Sequence, residues 1–320
     1  MKIAVIGCGR WGSFLAQYSS QLGHEVTLWG RQESGSFRQL AQTRANEFLT
    51  LDQRIALTSD LHAAADGANL VLVAINAQEY RGFLEANKHH LPAGVPLLLC
   101  MKGLEVHSGK RLTQITMEVL GAQAPVAILA GPGHVQDFVG GQPGCMIVCG
   151  LFSDTVKTVI SLLSGDLLRL YAGEDMIGAE VGAAAKNVIG IAAGILDGLG
   201  VPALKGALMT RGAYEIARLV RRMGGHEQTV YGLSHLGDYE ATLFSPYSHN
   251  RAFGEALVKG ESYQLLAEGV DTASALQVLS RDYEVSLPIC TAVYQILKKE
   301  MPPKAGLATL FDRPGRFEFT

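Results

Sequence analysis

Lys2-Ile3-Ala4-Val5-Ile6-Gly7-Cys8-Gly9-Arg10-Trp11-Gly12 opens the chain and decides how the rest is read. Lys2–Ile6 is a short apolar run of the kind found in a strand buried on both faces. A G-x-G-x-x-G spacing follows at once, and Trp11–Leu22 then has helical periodicity. In such a strand–loop–helix unit Gly7 makes a tight turn. Gly9 lets the backbone approach a pyrophosphate, and Gly12 packs helix against strand. The free N–H groups and the dipole of the helix start then face the anion. The spacing alone is weak, because an ordinary glycine turn shares it. Its place between a strand and a helix is what points to dinucleotide binding.

Working outward, short runs of Val, Ile and Leu predict strands at Lys2–Ile6, Glu25–Trp29, Leu70–Ile75, Pro96–Cys100, Val126–Ala130 and Met146–Cys149, with Leu167–Tyr171 as a candidate last strand. Helical patterns such as Trp11–Leu22, Leu61–Asp66 and Gly109–Leu120 lie between them. That alternation predicts right-handed βαβ units and a mostly parallel α/β sheet. After about Gly173 the strand pattern stops. Long helical windows follow at Asp175–Leu199, Leu204–Met223, Arg251–Val258, Thr272–Tyr283 and Pro288–Lys299, separated by Gly, Pro and polar clusters. The division expected is a Rossmann-type dinucleotide-binding domain over residues 1–178 and an all-α, substrate-binding domain over 179–320. No fixed-period repeat or low-complexity tract interrupts this plan.

The totals agree with a two-domain globular chain: 320 residues, 48% apolar, formal net charge −3. The charge balance argues against a general nucleic-acid binder. No uninterrupted apolar run reaches the ~20 residues of a membrane span. The N-terminus turns glycine-rich without a signal-peptide cleavage site. Cys8, Cys100, Cys145, Cys149 and Cys290 are scattered and odd in number, with no zinc-type spacing and no other metal-ligand set. Reduced thiols and a cytoplasmic location are the simple expectation. The helical half, with its apolar faces, is compatible with a homodimer.

Lys186 stands in Glu180-Val-Gly-Ala-Ala-Ala-Lys186-Asn187-Val-Ile-Gly-Ile-Ala-Ala-Gly-Ile, otherwise a run of small and apolar residues. A buried ammonium is costly unless it is paired or faces a cleft. Burial also lowers a lysine pKa toward the range useful for proton transfer. The alternatives are a lysine that snorkels to the surface and a structural ion pair. At the end of the second predicted strand, where an acid usually grips the ribose of NAD, stands Trp29-Gly30-Arg31. Arg31 is suited to a 2′-phosphate, so the cofactor expected is NADP or NAD, with NADP favoured; a solvated surface arginine is the alternative.

Together these residues resemble the bacterial type of NAD(P)-dependent glycerol-3-phosphate dehydrogenase, along nearly the whole chain. Gly7-x-Gly9-x-Trp11-Gly12, Met101-Lys102-Gly103-Leu104-Glu105, Ala130-Gly131-Pro132 and Lys186-Asn187-Val188-Ile189 carry the likeness. Gly237-Asp238, Thr242, Ser248-x-Asn250-Arg251 and Glu268-Gly269-Val270 continue it in register. The resemblance implies a helical domain like that of 6-phosphogluconate dehydrogenase, and reduction of dihydroxyacetone phosphate to sn-glycerol 3-phosphate for phospholipid synthesis. It implies Lys186 as general acid/base and Lys102 between substrate and nicotinamide. Asp238 would bond a substrate hydroxyl or keep Lys186 charged. Gly131 and Gly133 would offer backbone contacts, and Asn187, Ser248, His249 and Asn250 would hold the small phosphorylated three-carbon substrate. Trp11, Arg31, Lys102, Val135, His249, Leu266 and Glu268 align with positions that touch the dinucleotide.

Each of these has a plainer alternative. Lys102 could be merely exposed, Asp238 or Asn250 could cap a helix, and Thr242 reads as a helix-surface residue. Departures cluster on the substrate side. His249 stands where the family usually carries an arginine, with Arg251 two residues on. Gly133 lacks the usual hydroxyl, and Ser234-His235 replaces small residues. His134, His235 and His249 could form a different anion site or lie exposed. Two rival readings follow: a related reductase of ketopantoate or 6-phosphogluconate type, and an NADP(H)-binding sensor with weakened catalysis.

Overall fold

A computed structural model of the chain describes residues 1–312 and Glu318; the last part of the expected 179–320 domain therefore lies outside the described residues. The strands are β1 (Lys2–Ile6), β2 (Glu25–Trp29), β3 (Ala56–Thr58), β4 (Leu70–Val73), β5 (Leu97–Leu99), β6 (Val126–Ala130), β7 (Gly144–Gly150) and β8 (Leu168–Gly173). The helices of the first half are α1 (Arg10–Gln21), α2 (Gly35–Thr43), α3 (Leu61–Ala65), α4 (Tyr80–Asn87), α5 (Leu112–Leu120), α6 (Val135–Val139) and α7 (Ser153–Leu163). Those of the second half are α8 (Met176–Gly198), α9 (Lys205–Arg222), α10 (His249–Lys259), α11 (Gly269–Asp282), α12 (Pro288–Leu297) and α13 (Pro303–Phe311).

The strands form one sheet in the order β3-β2-β1-β4-β5-β6-β7-β8. All neighbours are parallel except β6 and β7. A return to the same direction needs a crossover, usually a helix that packs on the sheet. The link between β6 and β7 holds only the one-turn helix α6, whose Phe138 stacks on Phe14 of α1 instead. β7, α7 and β8 then make a further parallel unit, running against the rest. Strand β3 and helices α2, α4 and α7 add to those singled out in the sequence. β3 spans three residues at the sheet edge, and only Leu40 of α2 is buried, so neither leaves much of an apolar pattern.

Side chains alternate across the sheet, as the two-residue period of a strand requires. Ile3, Val5, Leu28, Leu70, Leu72 and Leu98 pack on one face. Ala4, Ile6, Val71, Val73, Leu97 and Leu99 pack on the other. The helical half has its own core. Helix α8 serves both: Ala179 and Ala183 belong to the sheet's second core, while Val181, Val188, Ile189 and Ile195 belong to the helical one. Gly178 to Leu196 are all buried. By length and composition α8 passes for a membrane span, yet its apolar window is wholly inside the protein. A helix apolar on every side is the expected centre of such a bundle.

α8 starts cleanly because Asp175 caps it, its Oδ1 accepting from Gly178 N at 2.9 Å. Helix α10 lies directly against it. A Cβ at Gly194 would collide with the Arg251 carbonyl, and one at Gly254 with the Ile191 carbonyl. These glycines set how closely the start of α10, with Ser248, His249 and Asn250, approaches the turn of α8 that carries Lys186 and Asn187.

Candidate active site

The strand order reverses direction about β1, which has β2 on one side and β4 on the other. In open α/β sheets ligands bind outside the carboxyl ends of the strands at such a switch point. The loop leaving β1 has two packing glycines and one open one. Gly7 adopts φ 110°, and a Cβ there would strike the Ala74 carbonyl; a Cβ at Gly12 would strike the Gly7 carbonyl. Gly9, the extended residue before α1, has nothing within 4 Å of its would-be Cβ. This is a cradle of bare backbone at a helix start, which a side chain would narrow, and it fits a dinucleotide pyrophosphate.

The flanking positions are less uniform. Trp11 stacks on Phe14 at 5.3 Å and tilts against Phe138 at 6.1 Å, and Val135 is buried at the start of α6. Arg31 follows β2 and is exposed, its Nη1 3.2 Å from Glu79. Leu266 is exposed in the loop between α10 and α11, and Glu268 is partly buried at its end. Desolvation pushes the Glu268 carboxyl up, against the pull of Lys102, Lys186 and Arg10.

Four segments meet at the second part of the crevice. Lys102 follows β5, Gly131 follows β6, Lys186 comes from α8, and Asp238 ends the short turn Leu236–Asp238. Lys186 is 7% exposed and Asp238 1%. A single carboxylate oxygen, Asp238 Oδ2, lies 2.7 Å from Lys186 Nζ and 2.8 Å from Lys102 Nζ. Lys102 also donates to the Gly131 carbonyl at 2.8 Å. The surface and helix-cap alternatives for Lys102 and Asp238 are therefore excluded by their contacts. Burial lowers the Lys186 amine to about 8; Asp238 opposes that shift and Lys102 adds to it.

Thr242 belongs here too, against the reading of it as a helix-surface residue. Its Oγ1 accepts from Lys186 Nζ at 2.8 Å and donates to the Asp238 carbonyl at 2.7 Å. The reason lies in the backbone: Glu240–Phe244 is a π-helical turn, which turns Thr242 inward. Asn187, one residue after Lys186, donates to the Lys102 carbonyl at 3.3 Å and reaches Glu268 at 3.5 Å.

The phosphate-side residues sit at the start of α10. Ser248 is its cap, with Oγ accepting from Arg251 N at 3.3 Å. Asn250 does not cap α10; its Oδ1 accepts from Gly269 N at 2.9 Å and holds the first residue of α11. Gly133 adopts φ 142°, and a Cβ there would collide with the Phe138 ring, so the missing hydroxyl goes with a filled space.

The histidines do not share one anion site, and none of the three is exposed. His235 is fully buried, its Nδ1 2.7 Å from the Gly182 carbonyl and its Nε2 2.6 Å from Tyr239 OH. Nδ1 must donate to the carbonyl, so Nε2 accepts from the tyrosine and the ring is neutral. Desolvation lowers its pKa to about 4. His134 bonds the Ala241 carbonyl at 2.7 Å, and His249 bonds Arg10 at 3.3 Å. The Arg251 guanidinium, near the position where the family usually carries an arginine, is held by Asp197 at 2.8 Å and Glu255 at 3.1 Å.

Comparison with known proteins agrees with this architecture. The family model for the NAD-dependent glycerol-3-phosphate dehydrogenase N-terminus matches residues 2–154, and that for its C-terminus residues 175–308. A glycerol-3-phosphate dehydrogenase [NAD(P)+] of Rhodospirillum rubrum is 37% identical, over 99% of this chain and 93% of that protein. The crystal structure of the Coxiella burnetii glycerol-3-phosphate dehydrogenase superposes with a TM-score of 0.92 at 28% identity, covering 98% and 99% of the two chains. A ketopantoate reductase from Ralstonia eutropha reaches a TM-score of 0.59 at 15% identity, covering 96% of this chain and all of that one, which is a likeness of fold alone. The chain belongs to the NAD-dependent glycerol-3-phosphate dehydrogenase family and is an NAD(P)-dependent oxidoreductase.

Proposed function

We propose that the chain interconverts dihydroxyacetone phosphate and sn-glycerol 3-phosphate, with Lys186 as the acid and base. The observation that carries this reading is the buried Lys186 amine, held by Asp238 and Thr242 beside a second lysine at the mouth of the parallel sheet. Gly7, Gly9 and Gly12 would hold the nicotinamide dinucleotide, which would supply the hydride. Lys186 gives a proton to the oxygen formed at the carbonyl and takes it back in reverse. An ammonium has three N–H groups; Asp238 and Thr242 engage two, which leaves one for the substrate oxygen. Asp238 keeps a charged amine tolerable in a buried place. Lys102 adds a second positive charge where negative charge develops.

On the substrate side, the backbone of Gly131 and Gly133, the Asn187 side chain and the start of α10 line the gap. Ser248 caps that helix start and Asn250 ties it to the first residue of α11, and its remaining free N–H groups favour a phosphate. Trp11, Val135, His249, Leu266 and Glu268 would line the dinucleotide. Arg31, exposed just past β2, favours NADP over NAD, since an exposed pair with Glu79 costs little to break. The product would feed phospholipid synthesis in the cytoplasm, and the apolar helical half supports a homodimer. Steady-state oxidation of NADPH and NADH with dihydroxyacetone phosphate, against ketopantoate and other 2-oxo acids, tests the reaction. Turnover of dihydroxyacetone phosphate at least tenfold more efficient is expected; preference for a 2-oxo acid would sink the reading.

A further inference from the structure

We infer that Arg10 is a phosphate-binding residue of this site, reaching across the crevice from the glycine loop to the start of α10. The inference rests on the reaction proposed above for the identity of one of its two possible ligands. Arg10 and His249 are the first residues of α1 and α10, and Arg10 Nη1 lies 3.3 Å from His249 Nε2. The contact joins the dinucleotide loop to the helical half and brings two helix starts within reach of one side-chain pair. A guanidinium has no acceptor, so Nε2 carries a lone pair and His249 is neutral. Desolvation, and then Arg10 itself, push the imidazole pKa down, while the backbone of Leu266 holds the ring as well.

The positive charge at this junction is therefore Arg10's. The guanidinium makes no ion pair among the described residues; it also lies over the Phe48 ring at 5.6 Å. The acids that feel the pair, Glu47 and Glu268, are not bonded to it. Arg251 is not available for the task, being committed to Asp197 and Glu255. One of five N–H donors is used on His249, so a fork remains for a phosphate oxyanion. Its source is either the substrate phosphate or the dinucleotide bridge, both anionic and both expected between these helix starts.

The test uses the full-length protein with Arg10→Ala, Arg10→Lys and the double variant Arg10→Ala/His249→Arg. KM for dihydroxyacetone phosphate is read by steady-state kinetics and Kd for NADPH by fluorescence titration without substrate. Arg10→Ala is expected to raise one of the two by about tenfold or more, with kcat within a few-fold. A rise in KM assigns the substrate phosphate, and a rise in Kd the dinucleotide. Arg10→Lys recovers part of the loss, and the double variant most of it, because the fork returns from the other side of the junction. Unchanged KM and Kd in Arg10→Ala, in protein with an unaltered melting temperature, overturn the inference. If the parent protein does not turn over dihydroxyacetone phosphate, the proposed reaction falls, and the NADPH titration still decides Arg10.

Discussion

At the glycine loop the chain presents bare backbone; around Lys186 it presents charge. Gly7 and Gly12 there are locked against main-chain carbonyls, and Gly9 is open. All that the loop needs lies within six residues of one another in sequence. The lysine site is assembled from residues 102, 131, 186, 238 and 242, none of which determines the others locally. At Gly7 and Gly12 the first region tolerates no added atoms, whereas the second tolerates no lost charge. Damage to the loop should weaken cofactor binding, and damage to the lysine site should slow the chemistry.

The largest effect should come from Lys186→Ala. A general acid of this kind contributes about two to four orders of magnitude in kcat, and the Kd for NADPH should hold. Unchanged turnover would remove Lys186 from its role. Because burial lowers the amine to about 8, the parent enzyme carries a directional signature. Carbonyl reduction needs the protonated amine and should decline as pH rises through about 8. Alcohol oxidation needs the neutral amine and should climb across the same window. Profiles that are flat there in both directions would contradict the assignment.

Gly12→Ala is the opposite break. Its Cβ meets the Gly7 carbonyl, a backbone atom that cannot rotate away. Overpacking of this kind costs about 1–3 kcal/mol; a loop that shifts to relieve it would lose fit to the dinucleotide by up to that amount, about five- to a hundredfold in affinity. It should appear as a higher Kd for the dinucleotide, measured by titration, with kcat at saturation nearly kept. A loss of kcat at unaltered Kd would blur the division between the two regions.

Thr242→Val sharpens the second region. It removes a hydrogen bond to a charged amine, worth about 1.5–3 kcal/mol. A loss of kcat of roughly tenfold is expected, with restoration by Thr242→Ser; normal kcat in the valine variant would return Thr242 to a structural role. The smallest effect concerns the choice of cofactor. Arg31→Ala should raise KM for NADPH about fivefold while leaving NADH within about twofold. Equal changes for both cofactors would show that Arg31 does not read the 2′-phosphate.

Sequence by itself determined what depends on neighbours along the chain. Three glycines at fixed spacing after a strand specify a turn, an open backbone and a close helix–strand contact. Runs of Val, Ile and Leu specify strands buried on both faces, and one lysine among small residues marks a charge in need of a partner. Tertiary structure alone decided who that partner is. Asp238 serves two lysines because α8 and the loop after β5 converge on it, which no local pattern encodes. A π-helical turn brings Thr242 inward, and the one-turn α6 sends β7 back antiparallel. His235 is sealed between Gly182 and Tyr239, Arg251 is absorbed by Asp197, and Arg10 finds His249 across the crevice. Propensity and periodicity act over a few residues, whereas charge pairing and packing act over ångströms between segments that the fold alone brings together.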